Sequence, residues 1–115
     1  MNRILIIEDD EAIRNGIKDF LLSNSYLVDV ASDGAEGLEA VKKRMPDVVI
    51  LDLSLPKISG ESVCKEIKRD YPSLPVIILT AKNKSSDVLA GFGVGADDFI
   101  SKPFELEELT ARIKA

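Results

Sequence analysis

Histidine is absent from this chain of 115 residues, and cysteine occurs once, at Cys64. A single thiol forms no intrachain disulfide, and a catalytic one would lack an imidazole to activate it, so Cys64 reads as a reduced thiol packed on a helix. Low-complexity tracts and repeats of solenoid length are missing as well, which removes disorder and repeat architectures. Basic charge is not in excess: 15 Lys and Arg stand against 20 Asp and Glu, a net charge of −5. A phosphate backbone needs a basic face to displace its counterions, so the chain is not expected to grip nucleic acid directly. After Met1-Asn2-Arg3 only the four apolar residues Ile4 to Ile7 follow, too few for a signal peptide or membrane span, and a cytoplasmic location is expected. No G-x-x-x-x-G-K-S/T loop is present, and Gly91-x-Gly93-x-Gly95 follows a predicted helix, not a strand, which argues against nucleotide binding.

What is present is the composition of one globular domain, 45% hydrophobic and 30% charged. Four polar positions each follow an apolar run: Glu8-Asp9-Asp10 after Ile4-Leu5-Ile6-Ile7, Asp52 after Val48-Val49-Ile50-Leu51, Thr80 after Val76-Ile77-Ile78-Leu79, and Lys102 after Phe99-Ile100-Ser101. Short continuous runs rich in Val and Ile predict strands buried on both faces, the mark of a parallel sheet. Such sheets bind ligands beyond the carboxyl ends of their strands, where these four sites would meet.

Between the runs the period becomes helical. Ile13, Ile17, Phe20 and Leu21 lie on one face of a helix from Glu11 to Asn24, with Asp10 as its cap. Leu27 to Ala31 is a second strand. Asp33 or Gly34 opens a helix carrying Leu38, Val41 and Met45, which Pro46 stops. After the third strand, Leu53 to Gly60 is a loop, and Val63 and Ile67 mark a third helix. Pro72 and Pro75 bracket a turn before the fourth strand. Ser85 or Ser86 caps a helix through Leu89 and Phe92 that ends at Gly93-Val94-Gly95. Asp98 to Ile100 is a short fifth strand, and Leu106, Leu109 and Ile113 share a face of the last helix. Five strands alternating with five helices through right-handed crossovers make a three-layer α/β sandwich whose strand order the pattern leaves open. No capping signal closes the last helix at Ala115, so a longer parent protein is expected.

Adjacent strands lie about 4.8 Å apart, and a lysine stem reaches across one intervening strand, so Asp52, Thr80 and Lys102 can share a ligand. Crowded carboxylates repel and push one pKa upward unless a cation offsets them, and oxygen ligands of this kind suit Mg²⁺. Each feature alone has a plainer reading: a solvated turn at Glu8-Asp9-Asp10, a turn threonine at Thr80, a surface lysine at Lys102. Their joint placement at four strand ends favours a site.

These residues carry a resemblance. The chain resembles the receiver domain of two-component response regulators through Ile-Ile-Glu8-Asp9-Asp10, Leu51-Asp52-Leu53-Ser54-Leu55-Pro56, Gly60, Leu79-Thr80-Ala81, Gly95-Ala96-Asp97-Asp98-Phe99 and Lys102-Pro103-Phe104, across essentially its whole length. The resemblance implies a flavodoxin-like, doubly wound five-stranded sheet in the order 2-1-3-4-5. It implies that residues 1–115 are a receiver domain at the N-terminal part of a longer protein, with a sensor histidine kinase as partner and a DNA-binding transcriptional output domain reached beyond Ala115. Asp52 would be the phosphorylated nucleophile. Glu8, Asp9, Asp52 and the backbone carbonyl of Ser54 would hold Mg²⁺, Lys102 and Thr80 would contact the phosphoryl group, and small Ala81 would leave an opening for the donor. Asp10 fits the capping role. Such a domain catalyses only its own phosphorylation and dephosphorylation.

The resemblance further implies a switch in which Thr80 and Phe99 move and reshape the surface of the fourth helix, fifth strand and fifth helix. A cis Lys102-Pro103 bond would aim the lysine inward. Ser54 and Lys82 occupy the positions that tune the phosphorylated state's lifetime, and neither supplies a carboxylate or amide to orient water. Lys84, Val88, Asp97, Asp98, Glu108 and Arg112 resemble the face through which winged-helix regulators pair. Val88 stands where a basic residue is usual, which is expected to leave Glu108 unpaired, and Phe99 lacks the hydroxyl of the commoner tyrosine. Two other classes share part of this pattern: a haloacid-dehalogenase-like phosphatase, which needs a second acid where this chain has Ser54, and a receiver-like binding module that takes no phosphate, although every phosphorylation residue is present.

Overall fold

A computed structural model describes residues 2–80, 95–102 and 104–114. Strands β1 (Arg3–Ile7), β2 (Leu27–Ala31), β3 (Val48–Asp52), β4 (Val76–Thr80) and β5 (Asp98–Ser101) alternate with helices α1 (Glu11–Ser23), α2 (Gly34–Lys43) and α3 (Gly60–Asp70), and α4 (Leu106–Lys114) follows β5. The expected helix through Leu89 and Phe92 lies outside the described residues, as do Ala81, Lys82, Lys84, Val88 and Pro103 with its peptide bond. All strand pairs are parallel and the order is β2-β1-β3-β4-β5, the order the resemblance implied.

The continuous apolar runs have the meaning predicted for them. β3 and β4 are buried at every residue, with successive side chains entering opposite layers. Leu5, Ile7, Val49, Leu51, Val76 and Ile78 pack with Val41 of α2 and Val63, Cys64 and Ile67 of α3. Ile4, Ile6, Ile50, Ile77, Leu79 and Ile100 pack with Ile17 and Leu21 of α1 and Leu109 of α4. Burial pushes the Cys64 thiol up to about 11, so it is a packing group and no nucleophile at neutral pH.

Three helices begin on side-chain caps that the sequence displays. Asp10 accepts from the Ile13 amide at 3.0 Å, Asp33 from Glu36 at 2.8 Å and Ser59 from Ser62 at 3.2 Å. One expectation fails at a helix end. α2 stops at Lys43, so Met45, expected on the helix, lies beyond it and is 52% exposed. The residue before a proline is driven out of the α region, so Pro46 ends the helix earlier than the apolar spacing suggested.

Asp97, an exposed residue, is bonded at the amino-terminal edge of the sheet: its Oδ2 accepts from the Val76 amide at 2.8 Å and from Lys68 Nζ at 3.1 Å, and Lys68 also donates to the Leu74 carbonyl at 2.9 Å. The carboxylate ties α3 and the starts of β4 and β5 together. Removing it strands an amide and half-satisfies an ammonium, so Asp97→Ala should lower unfolding stability by about 1–3 kcal/mol, read as a lower urea midpoint. An unchanged midpoint would show that this tie contributes nothing.

Candidate functional site

The register sets which polar groups meet. Ile7 lies beside Leu51, Asp52 beside Leu79 and Thr80 beside Ser101, so Glu8, Asp52, Thr80 and Lys102 emerge at one sheet edge. Backbone bonds carry that order past the strand ends: Glu8 N to Ala31 O at 3.0 Å, Leu53 N to Leu79 O at 3.1 Å, and Lys102 N to Thr80 O at 2.8 Å. Among the described residues, the polar or charged ones in the buried class are Glu8, Asp52 and Thr80. Burying unpaired charge is costly, so their surroundings must compensate.

Lys102 is the compensation. Its ammonium donates to Glu8 Oε1 at 3.1 Å and to Asp52 Oδ1 at 3.3 Å, both carboxylates being almost wholly removed from solvent. The lysine thus reaches the ends of both β3 and β1, one strand farther than the sequence led us to expect. Asp52 Oδ1 also accepts from the Ser54 amide at 3.2 Å, and Glu8 Oε2 from the Asp10 amide at 3.3 Å. One ligand oxygen from each of Glu8, Asp9 and Asp52 falls within a 4.8 Å cluster, with Asp9 exposed at its mouth.

The charges do not balance. Burial, then the hydrogen bond and like charge of Asp52, push Glu8 up from 4.5 to about 7, and the Lys102 contact only partly opposes them. Burial alone would lower the Lys102 pKa; the Glu8 hydrogen bond and the two carboxylate charges outweigh it and raise it. The result is a permanently cationic lysine between two acids, one of which holds a proton near neutrality. A divalent cation suits this donor set: oxygen atoms of both signs of exposure, close together, with more negative charge than the lysine neutralises.

α3 closes the site from the side. A Cβ on Gly60 would stand 2.5 Å from the Leu53 Cα and 2.6 Å from the Asp52 carbonyl oxygen, backbone atoms that cannot yield, so only glycine lets the helix start this close to Asp52. The intervening loop bends through Lys57 at φ 66°, an uncommon conformation for a residue with a side chain.

The family model of the response regulator receiver domain matches residues 4–114 of this chain. The chain belongs to the response regulator receiver family. It is 43% identical over 113 residues to the response regulator MprA of Mycobacterium leprae, covering 98% of this chain and 50% of that protein. This receiver therefore spans about half the length of the curated relatives it matches. Among solved structures it is similar to the chemotaxis protein CheY4 of Vibrio cholerae, with a TM-score of 0.95 and 29% identity over 99% of this chain and 97% of that one. The DrrB regulator of Thermotoga maritima, described as an OmpR/PhoB homolog, gives 0.91 and 36% over 99% of this chain and 51% of that one.

Not every expected residue of the receiver comes together. Phe99 is half-buried and packs against the layer of α2 and α3. Of the expected pairing face, Asp97 is exposed and bonded to Lys68, Asp98 is bonded to Arg112 at 3.2 Å, and Glu108 lies 4.0 Å from Arg112 within its own helix. At (i, i+4) spacing on one helix Glu108 and Arg112 are surface neighbours within the monomer. Sequence reading missed Arg14, whose Nη1 donates to the Glu8 carbonyl at 3.1 Å. The signal was available: a cation in the first turns of the helix that follows three consecutive acids.

The raised Glu8 pKa fixes the sign of a pH effect. A carboxyl whose folded pKa lies above its ordinary value favours the fold in its neutral form, so its contribution is present below about 4.5 and lost as pH rises through about 7. Glu8→Gln keeps the neutral shape at every pH. In metal-free buffer its urea midpoint should therefore gain on wild type as pH rises from 4.5 to 8; a constant difference over that range would reject the shift.

Proposed function

We propose that this receiver is the phosphoacceptor of a two-component signalling system, with Asp52 as the residue phosphorylated. The observation that carries the reading is the Asp52 carboxylate itself: buried, 3.3 Å from a fixed ammonium, and clustered with Glu8 and Asp9. One Asp52 oxygen would attack the phosphorus of a phosphohistidine on a sensor kinase. The P–N bond breaks, the imidazole leaves and is reprotonated, and an acyl phosphate forms on Asp52. Lys102 is placed to pair with a phosphoryl oxygen, and Thr80, one residue past the Leu79 that flanks Asp52, to donate to another.

Glu8, Asp9 and Asp52 would hold Mg²⁺, with the Ser54 carbonyl as a further oxygen. The ion, when bound, would offset the negative charge that accumulates on the transferring group. Releasing Lys102 from its two carboxylates toward the phosphoryl oxygens is then electrostatically balanced. A phosphatase acting on external esters fits less well, because position 54 is an exposed serine whose amide is already bonded to Asp52 and no acid stands there to protonate a leaving group.

A groove of about 480 Å³ beside Lys102, lined by Ala12, Ile13, Gly16 and Ile17 of α1 and by Phe104 and Leu106, would offer the phosphodonor an apolar seat next to the acceptor. The other half of a protein of the relatives' length would carry the output, and the likeness to an OmpR/PhoB homolog favours a DNA-binding one. No helix among the described residues is long and apolar enough to cross a membrane.

Treating the protein with acetyl phosphate and Mg²⁺ tests the assignment. Intact mass should rise by one phosphate in wild type and not in Asp52→Asn; an equal rise in the mutant would move the site elsewhere.

Self-pairing on phosphorylation is the second part of the reading. Asp98 and Arg112 are already paired within the monomer, so a dimer using them exchanges one exposed ion pair for another, worth about 0–1 kcal/mol. Apolar contact must supply the remainder, and a dimer weaker than the family's norm is expected. Sedimentation velocity with and without beryllofluoride, a stand-in for the phosphoryl group, should show association only with it; a monomer in both states would reject pairing.

A further inference from the structure

Arg14 has no part in the roles assigned so far, yet it is tied to the acidic turn more closely than any helix packing requires. It sits half-buried in α1, and one guanidinium nitrogen donates to the Glu8 carbonyl at 3.1 Å while standing 3.5 Å from the Asp9 carbonyl, the limit of a hydrogen bond. β1 ends at Ile7, so beyond it the peptide planes are oriented by local bonds and not by the sheet. Those bonds are the Glu8 amide on Ala31 O, the Asp10 amide on Glu8 Oε2, the Asp10 cap on Ile13, and the Arg14 clamp. Fixing the peptide plane after a residue fixes where the next Cα departs. A guanidinium that draws the carbonyls of Glu8 and Asp9 toward α1 thereby determines the starting points from which their carboxylates reach toward Asp52.

We propose that Arg14 is a positioning residue for the cation site, orienting the Glu8-Asp9 turn so that both carboxylates converge with Asp52. The inference rests on the reading that these acids bind Mg²⁺.

Electrostatics and positioning predict opposite signs, which makes the idea testable. A guanidinium beside a site for a dication repels the ion, so if charge were its only influence, its removal would tighten Mg²⁺ binding. If Arg14 orients the ligands, removal loosens binding, and loss of an outer partner of metal ligands commonly costs about tenfold or more in affinity. Calorimetric titration with MgCl₂ on wild type, Arg14→Met and Arg14→Lys, accompanied by thermal unfolding in chelator, separates the two. The expected result is a dissociation constant raised about tenfold in Arg14→Met and by a smaller factor in Arg14→Lys, whose point charge can still reach a carbonyl. Should Arg14→Met fail to fold, Arg14→Lys carries the test and must bind more weakly than wild type. A lowered melting temperature with unchanged or tighter Mg²⁺ binding would overturn the proposal, showing a structural role alone. Failure of wild type to bind Mg²⁺ would instead remove the cation site on which the inference stands.

Discussion

A single lysine holds together charges that the fold would otherwise expel. Glu8 and Asp52 sit at the ends of two adjacent central strands, both out of solvent, and their mutual repulsion is answered by the Lys102 ammonium at 3.1 and 3.3 Å. One positive charge against two negative ones leaves a deficit, visible in the Glu8 carboxyl pushed up to about 7. The arrangement is therefore poised: it is tolerable with a proton on one acid, and it is relieved by any added cation. A domain selected only for stability would not keep two buried carboxylates beside each other, since removing both with well-packed apolar residues is often neutral or better. The proposed phosphoacceptor and cation-binding roles would account for their presence.

The sheet makes the arrangement possible without strain in the strands. Parallel strands whose apolar runs are four or five residues long end nearly level, so the residue after each run arrives at the same edge. The two hydrophobic layers fix the register, because a one-residue slip would turn every Ile and Val to the wrong layer. Precision at the acidic edge is thus inherited from the core. Rigid helix starts add to it: Gly60 lets α3 lie against the Asp52–Leu53 backbone, and Asp10 fixes the start of α1 directly after the acidic pair.

The strands, their boundaries to within a residue, and the caps at Asp10 and Asp33 were legible in the sequence because each follows from local chemistry: period, branched side chains, a short polar side chain before a helix. The coincidence of Glu8, Asp52, Thr80 and Lys102 was legible for the same reason, as strand ends are readable and a parallel sheet aligns them. The strand order was not, and came only with the resemblance, since period carries no record of which strand lies beside which. The bonds of Asp97 and the exposure of Met45 were not legible, for a related cause. Asp97 follows a glycine turn and is an exposed acid, but its partners, the Val76 amide and Lys68, are far off in sequence and come near only when α3 and β4 are in place. Met45 has the right spacing for a helix face, and the restriction that Pro46 places on its backbone outweighed the spacing.

Of the three acids in the β1–α1 turn, each has a different environment, and that difference divides their work. Asp10 spends an oxygen on the Ile13 amide and is committed to the helix. Glu8 is buried and shares Lys102, so its charge state responds to what enters the site. Asp9 is exposed at the mouth and is the acid most readily reached from solution. The two-residue separation between a capping acid and a buried one leaves the middle residue facing the opening, and the Arg14 contact with the carbonyls on either side of it holds that alternation in place. A contiguous acidic triplet, which composition alone would class as one solvated patch, is in this way resolved by backbone geometry into a structural cap, a buried titrating acid and an exposed acid.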